Sequence, residues 1–253
     1  MSMTKTIKAF LAAGALACVV GVASAQLPES PFRNVDATTL PLDRNVWTLH
    51  FAYMTPKIVT VDTPDQGKKT VWYMPYFVYN KTGSPRNIVP EFELVTKDPD
   101  SDIMSSLDEA QPSVVDAIRK IEDPDNKLNY LTSVSISKIK IPVAKPDTYP
   151  ESQAIHGLAV WLDVPAKANP NSFSVYVSGL SDGLAKKEIE DAAKGETKVV
   201  VSRKTLRLDF KRPVGSATNK TDDIKINDNN GLGAETWLYR ESSTSIKKKA
   251  AAK

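Results

Sequence analysis

Apolar and polar side chains alternate along much of this chain, which is the pattern of half-buried β-strands. The strongest run is residues 71–79, which are dense in aromatic and β-branched side chains. Residues 80–87 supply turn-forming Asn, Gly, Ser and Pro, and residues 88–96 then alternate, with Glu91 and Glu93 on one face. These segments predict a β-hairpin whose connection is longer than the tightest turns.

Seven further segments have the same two-residue period and are predicted as strands. Six of them place a set of apolar side chains on one face, whereas the segment 57–62 is short, and Pro, Gly and Asn residues separate many of them. They are residues 44–53, 57–62, 133–137, 155–164, 172–178, 197–211 and 235–240.

One segment has a convincing helical pattern. Val114, Val115, Ile118 and Ile121 recur at helical spacing, with Pro112 suited to the first turn and Pro124 ending the segment. We therefore predict a helix near residues 113–122. A second helix over residues 184–193 is an alternative whose apolar face is thin.

Short alternating strands separated by turns predict a mainly β fold, an antiparallel immunoglobulin-like sandwich with one accessory helix. The sandwich is expected to span residues 44–241, after an extended segment over residues 26–43. The Lys-rich tail, residues 242–253, is expected to be disordered. A proline-rich stretch at residues 142–150 leaves a division into two subdomains open.

The first 25 residues have the pattern of a secretory signal peptide. Lys5 and Lys8 precede an unbroken run of small and apolar residues over 9–22, and Ala23-Ser24-Ala25 fits a cleavage site. Cys18 lies inside this leader and is the sole cysteine of the chain, so no disulfide is expected after cleavage. The pattern predicts an exported protein without stable membrane insertion once the leader is removed.

The formal charge of +3 comes from the two ends of the chain. Residues 26–246 carry 27 basic and 30 acidic residues, because Lys5 and Lys8 lie in the leader and four lysines lie in the last seven residues. The body is therefore mildly acidic, and no nucleic-acid partner is expected.

Residues 79–95, with the sequences YNKTGSPR and FELV, resemble a recurring hairpin of bacterial immunoglobulin-like accessory domains. The stretch 46–96, with IEDP at 121–124 and VWLD at 160–163, is similar to uncharacterised secreted proteins of planctomycete genomes. The resemblance covers most of the chain after the leader. It implies the sandwich fold and no activity.

Catalytic chemistry is scarce in the sequence. The two histidines, His50 and His156, fall within predicted strands, and no Gly-x-Ser-x-Gly turn accompanies them. Both histidines are therefore predicted to be structural. Clusters of zinc ligands and Gly-rich phosphate loops are absent from the sequence.

The candidate metal ligands are Asp98, Asp100, Asp102 and Glu109. Alternating acidic oxygens closed by a glutamate at the twelfth position suit Ca²⁺, although Ile103 stands where a calcium loop has Gly. The competing interpretation is a solvated acidic turn. Calorimetry with millimolar Ca²⁺ decides between them, since the absence of both heat and a melting shift would exclude the site.

Two surfaces remain as candidate sites for a ligand. Glu91 and Glu93 share a strand face and are the candidate carboxylate pair of a glycoside hydrolase, or the wet side of a sandwich. Trp72 and Tyr73 point to opposite faces of their strand, so one face is either buried beneath a second layer or exposed as a partner platform. Burial of both faces is the preferred expectation.

These patterns predict an exported, non-enzymatic binding or structural module that holds a protein or glycan partner. Its location is expected to be the periplasm, the cell surface or the medium. The alternative is a carboxylate-dependent hydrolase acting on envelope glycans, for which a concave site with converging acids would be needed.

Overall fold

Strands dominate the computed structural model of the chain. It describes residues 30–64, 67–98, 103–145, 150–162, 164, 170–191, 196–215 and 221–241. Its elements all belong to one compact unit, Pro31–Lys253. The elements in chain order are β1 (Arg33–Val35), β2 (His50–Tyr53), β3 (Lys57–Thr63), β4 (Gly67–Tyr79), β5 (Arg86–Asn87), β6 (Glu91–Thr96), β7 (Ser105–Leu107), α1 (Pro112–Glu122), β8 (Leu131–Thr132), α2 (Ser133–Ile136), β9 (Lys140–Ile141), β10 (Ile155–Trp161), β11 (Ser172–Ser178), β12 (Leu184–Asp191), β13 (Glu196–Lys211), β14 (Lys225–Ile226) and β15 (Glu235–Glu241).

The strands form two facing sheets and one small pair. The first sheet has the order β1-β2-β4-β10-β8, and β3 also pairs with β4. In the second sheet β13 is central, because this 16-residue strand pairs with β11, β12, β14 and β15, while β6 and β7 continue beyond β11. The predicted mainly β, antiparallel sandwich is confirmed, with β8 as a short parallel partner of β10.

The long strand β4 is buried on both faces. Trp72, Met74 and Tyr76 point into the inner cluster between the two sheets, whereas Tyr73 and Phe77 point into an outer cluster beneath α1. Each of these five side chains is at most 5% exposed. The preferred expectation, burial of both faces, is therefore confirmed.

Helix α1 forms where it was predicted. Pro112 occupies its first turn, where the missing N–H costs no hydrogen bond, and Val114, Val115 and Ile118 are buried against the first sheet. After the helix, the carboxylate of Asp123 accepts hydrogen bonds from three successive backbone amides in the following turn.

The predicted hairpin between residues 71–79 and 88–96 is wrong. Strand β4 lies in the first sheet and β6 in the second, so residues 80–90 cross from one sheet to the other. The two strands meet through side chains, with the rings of Tyr76 and Phe92 4.5 Å apart between the sheets. The Asn80 amide organises the crossing by donating to two carbonyl oxygens and accepting from the Thr82 backbone.

Two other predicted elements have a different structure. Residues 133–137 contain the one-turn helix α2 rather than a strand, because the Thr132 hydroxyl caps it by accepting from the Ser135 amide at 3.1 Å. Residues 184–191 form strand β12 rather than a helix. Its eight-pair ladder with β13 outweighs the local helical pattern.

Candidate functional site

The outer face of the second sheet carries an open concavity of about 390 Å³, which we call the outer trough. Side chains from β6, β11, β13 and β15 point into it because they alternate with residues of the inner cluster. The charged and aromatic residues of its lining are Glu91, Glu93, Tyr176, Arg203, Arg240 and Glu241.

Glu93 and Arg240 are bound to each other in the floor of the outer trough. Glu93 is 3% exposed and accepts hydrogen bonds from the Ser105 hydroxyl and from the Arg240 guanidinium. The same guanidinium lies 3.9 Å from the centre of the Tyr176 ring. Arg240 therefore reaches from β15 across the sheet to β6, and it joins two strands that are not neighbours.

The structure brings Glu91 and Glu93 into one trough, as their spacing predicts, but it gives them different roles. Each oxygen of Glu93 accepts a hydrogen bond from a neighbouring side chain, so this carboxylate is held as the partner of Arg240. Glu91 is exposed, and so is Arg203 across the trough. Within the described ranges, neither head group forms an ion pair.

Asp209 holds a second polar network on the same face. It is 2% exposed and accepts hydrogen bonds from Lys97, Ser174 and Asn229. Burial by itself raises the pKa of Asp209, but these hydrogen bonds and the Lys97 charge together lower it below its ordinary value. The buried Asp209 carboxylate thus joins β13 to β11 through Ser174 and to the residue that follows β6, Lys97, whose side chain stays partly exposed.

A second concavity, of about 540 Å³, lies where the N-terminal segment meets the loop after β4, and we call it the end groove. Lys204 lies at its base and donates to Asp43 and to the Thr38 carbonyl oxygen, both at 2.5 Å. Asp43 also accepts from Tyr239 and from the Leu40 amide, so its charge is fully engaged.

Arg86 and Trp47 form the wall of the end groove. The Arg86 guanidinium lies 5.0 Å from the Trp47 ring centre, and its Nε donates to the Thr82 hydroxyl at 2.8 Å. Lys81, which is exposed, completes the lining on this side. Lys81 and Arg86 belong to the segment 80–87, whose composition predicts a turn and gives no sign of a binding role.

The calcium prediction lies partly outside the described residues, which include neither Asp100 nor Asp102. The Asp98 carboxylate accepts from the Asn171 and Ser172 amides and thereby anchors the start of β11. Glu109 is exposed, and its backbone amide donates to the Val160 carbonyl oxygen of β10, in the first sheet. Within the described part of the chain, no three His, Cys, Asp or Glu residues converge as metal ligands.

Both histidines pack against aromatic rings. His50 stacks on Tyr79 at 4.9 Å, and its pKa is lowered by burial first and by the nearby Lys81 charge second, against the opposing effect of Asp36. His156 is buried and has aromatic rings as neighbours on several sides. Both histidines are thus parts of packed aromatic clusters, and their structural role stays a prediction.

Comparison with known proteins gives no relative: no family model, curated protein or solved structure matches the chain. Among the residues that the structure describes, no helix has the length and apolar character needed to cross a membrane. The function must therefore be inferred from the two concavities and their side chains.

Proposed function

We propose that this chain is a non-enzymatic binding module of the cell envelope or extracellular space, and that the outer trough binds a glycan. One observation carries the proposal. The trough is open, yet the carboxylate pair that a glycoside hydrolase would need is divided, with Glu93 held by Arg240 and Ser105, and Glu91 exposed and without an ion pair among the described residues.

The lining of the outer trough suits hydroxyl-rich ligands. Glu91 can accept hydrogen bonds, Arg203 can donate several, and the Ser178 hydroxyl can do both. A sugar hydroxyl also donates and accepts, so one ring placed between these groups satisfies both kinds of partner. The Glu93–Arg240 pair supports this by fixing the floor before a ligand arrives, which lowers the ordering cost of binding.

The exported location is proposed from the predicted leader, residues 1–25. N-terminal sequencing of the protein recovered from its native cells tests this part separately. A mature chain that begins at Gln26 supports export, and retention of the leader in the recovered protein contradicts it.

The binding proposal is tested with a panel of neutral oligosaccharides. Calorimetry measures their binding, and an assay for released reducing ends measures hydrolysis. We expect binding without hydrolysis, and at least tenfold weaker binding for Glu91→Gln and for Arg203→Gln, because each loses a charged hydrogen-bonding group. Glu109→Gln and Arg44→Gln, at exposed positions outside the trough, are the matched controls.

Two results contradict the proposal. Release of reducing ends that Glu91→Gln abolishes would establish the alternative, a carboxylate-dependent hydrolase. Unchanged ligand affinity in both trough variants would show that the outer trough is not the binding surface.

A further inference from the structure

The end groove has the properties of a second binding site, for an acidic chain. Three cationic side chains line it, Lys81, Arg86 and Lys204, against the two carboxylates Asp43 and Asp182. Lys204 and Asp43 neutralise each other at 2.5 Å. One Asp182 oxygen is used by the Trp47 amide at 2.9 Å.

Lys81 and Arg86 are the cations that remain available to a ligand. In the described part of the chain neither forms an ion pair with a carboxylate. The Arg86 side chain is fixed by the Trp47 ring on one side and by the Thr82 hydroxyl at Nε. This leaves the terminal nitrogens of a rigid, planar guanidinium for an oxyanion, which such a group binds with two parallel hydrogen bonds.

The rest of the lining indicates what carries the anion. Hydroxyl and amide side chains make up much of it, namely Thr38, Thr39, Asn45, Thr48 and Thr82. The aromatic residue of the groove, Trp47, already has Arg86 over its ring, so it offers little apolar anchor to a peptide side chain. At about 540 Å³ the groove also exceeds what a single small anion fills.

We infer that the end groove binds a polysaccharide carrying carboxylate groups, with the acid held by Arg86 and Lys81 and the sugar hydroxyls held by the exposed side chains of Thr39 and Asn45. This site is separate from the outer trough and does not depend on it, because the two concavities share no lining residue.

The test titrates an oligogalacturonate, which has a carboxylate on every ring, into the full chain at low and at physiological ionic strength. A neutral maltooligosaccharide of equal length, a poly-glutamate peptide and inorganic phosphate are titrated in parallel. We expect binding of the oligogalacturonate alone, weakened by salt because exposed charges are screened. Lys81→Gln is expected to weaken it about fivefold, and Arg86→Lys about tenfold through loss of the bidentate contact.

Three variants serve as controls. Lys120→Gln removes an exposed positive charge from helix α1, and Glu91→Gln and Arg203→Gln alter the outer trough. All three are expected to keep the affinity for oligogalacturonate, so failure at one concavity is distinguishable from failure at the other.

Four results would overturn the inference. They are no binding of oligogalacturonate at millimolar concentration, equal binding of the neutral oligosaccharide or of inorganic phosphate, equal losses from Lys120→Gln and Lys81→Gln, and preferential binding of a poly-glutamate peptide. A circular dichroism melt of each variant confirms that a loss of binding occurs in a folded chain.

Discussion

The two outward faces of this sandwich are built from opposite kinds of side chain. The outer face of the first sheet is apolar, with Tyr73 and Phe77 at most 3% exposed beneath α1. The outer face of the second sheet carries Glu93 and Asp209, which are equally buried but charged. Helix α1 packs on the first sheet, against β3.

The difference shows two ways of closing a sheet face. A covering helix removes apolar side chains from water. This stabilises the fold by roughly 25 cal/mol for each Å² of apolar surface that is buried. On the uncovered face, long side chains lie flat over the strands, and Arg240 and Lys97 pair with carboxylates that would otherwise be buried alone. The second solution leaves openings between the pairs, which is why the outer trough lies on that face.

The largest expected effect tests whether both faces of β4 are core. Trp72→Ala, toward the inner cluster, and Tyr73→Ala, toward the outer cluster, should each lower the free energy of unfolding by about 3–5 kcal/mol. Denaturant unfolding of both variants measures this. A loss below about 1 kcal/mol for Tyr73→Ala would contradict its burial beneath α1.

The positions of several strands follow from sequence because alternation is a local property. Residues 172–178 form β11 as predicted, and the helical spacing around Val114 gives α1. A short segment such as 133–137 does not distinguish the two-residue period of a strand from the 3.6-residue period of a helix, because its two apolar residues fit either structure. The Thr132 cap then favours the helix.

The pairing of strands could not be derived in the same way. The alternation of residues 88–96 suits a strand that pairs with β4 in one sheet and equally a strand that faces β4 from the other sheet. In the fold these residues face β4, and Phe92 packs against Tyr76. The candidate site shares this limit. The alternation reveals Glu91 and Glu93, but Arg240 comes from the far end of the chain and reaches Glu93 through the fold.

The second-largest expected effect tests the Arg240–Glu93 ion pair on the outer face of the second sheet. Arg240→Met should cost about 2–3 kcal/mol, because Glu93 stays buried with the Ser105 hydroxyl as its remaining partner. Adding Glu93→Gln to this variant should recover at least half of the loss, since no unpaired charge is then buried. Unfolding free energies of the single and double variants form the cycle. Additive losses would show that the ion pair does not close this face.

The smallest expected effect is a pH dependence on the same face. The pKa of Asp209 is lowered in the folded chain, since the hydrogen bonds from Lys97, Ser174 and Asn229 outweigh its burial. A carboxyl whose folded pKa is depressed stabilises the fold above its unfolded pKa of about 4, and this contribution disappears as the pH falls through the folded pKa. Asp209→Asn should therefore cost about 2 kcal/mol at pH 7 and less at low pH.

Asp108 provides a control of opposite sign. Burial raises the pKa of Asp108 despite hydrogen bonds from Ser133 and from the Phe92 amide. The folded chain then binds the proton more tightly than the unfolded chain, so the fold loses stability as the pH rises from about 4 through the folded pKa. Urea unfolding between pH 3 and pH 7 should show Asp209→Asn reducing the acid-induced loss of stability and Asp108→Asn increasing it. If both variants shift the profile in one direction, the polar network around Asp209 does not hold its carboxylate in the charged form, and the proposed contrast between the two faces fails.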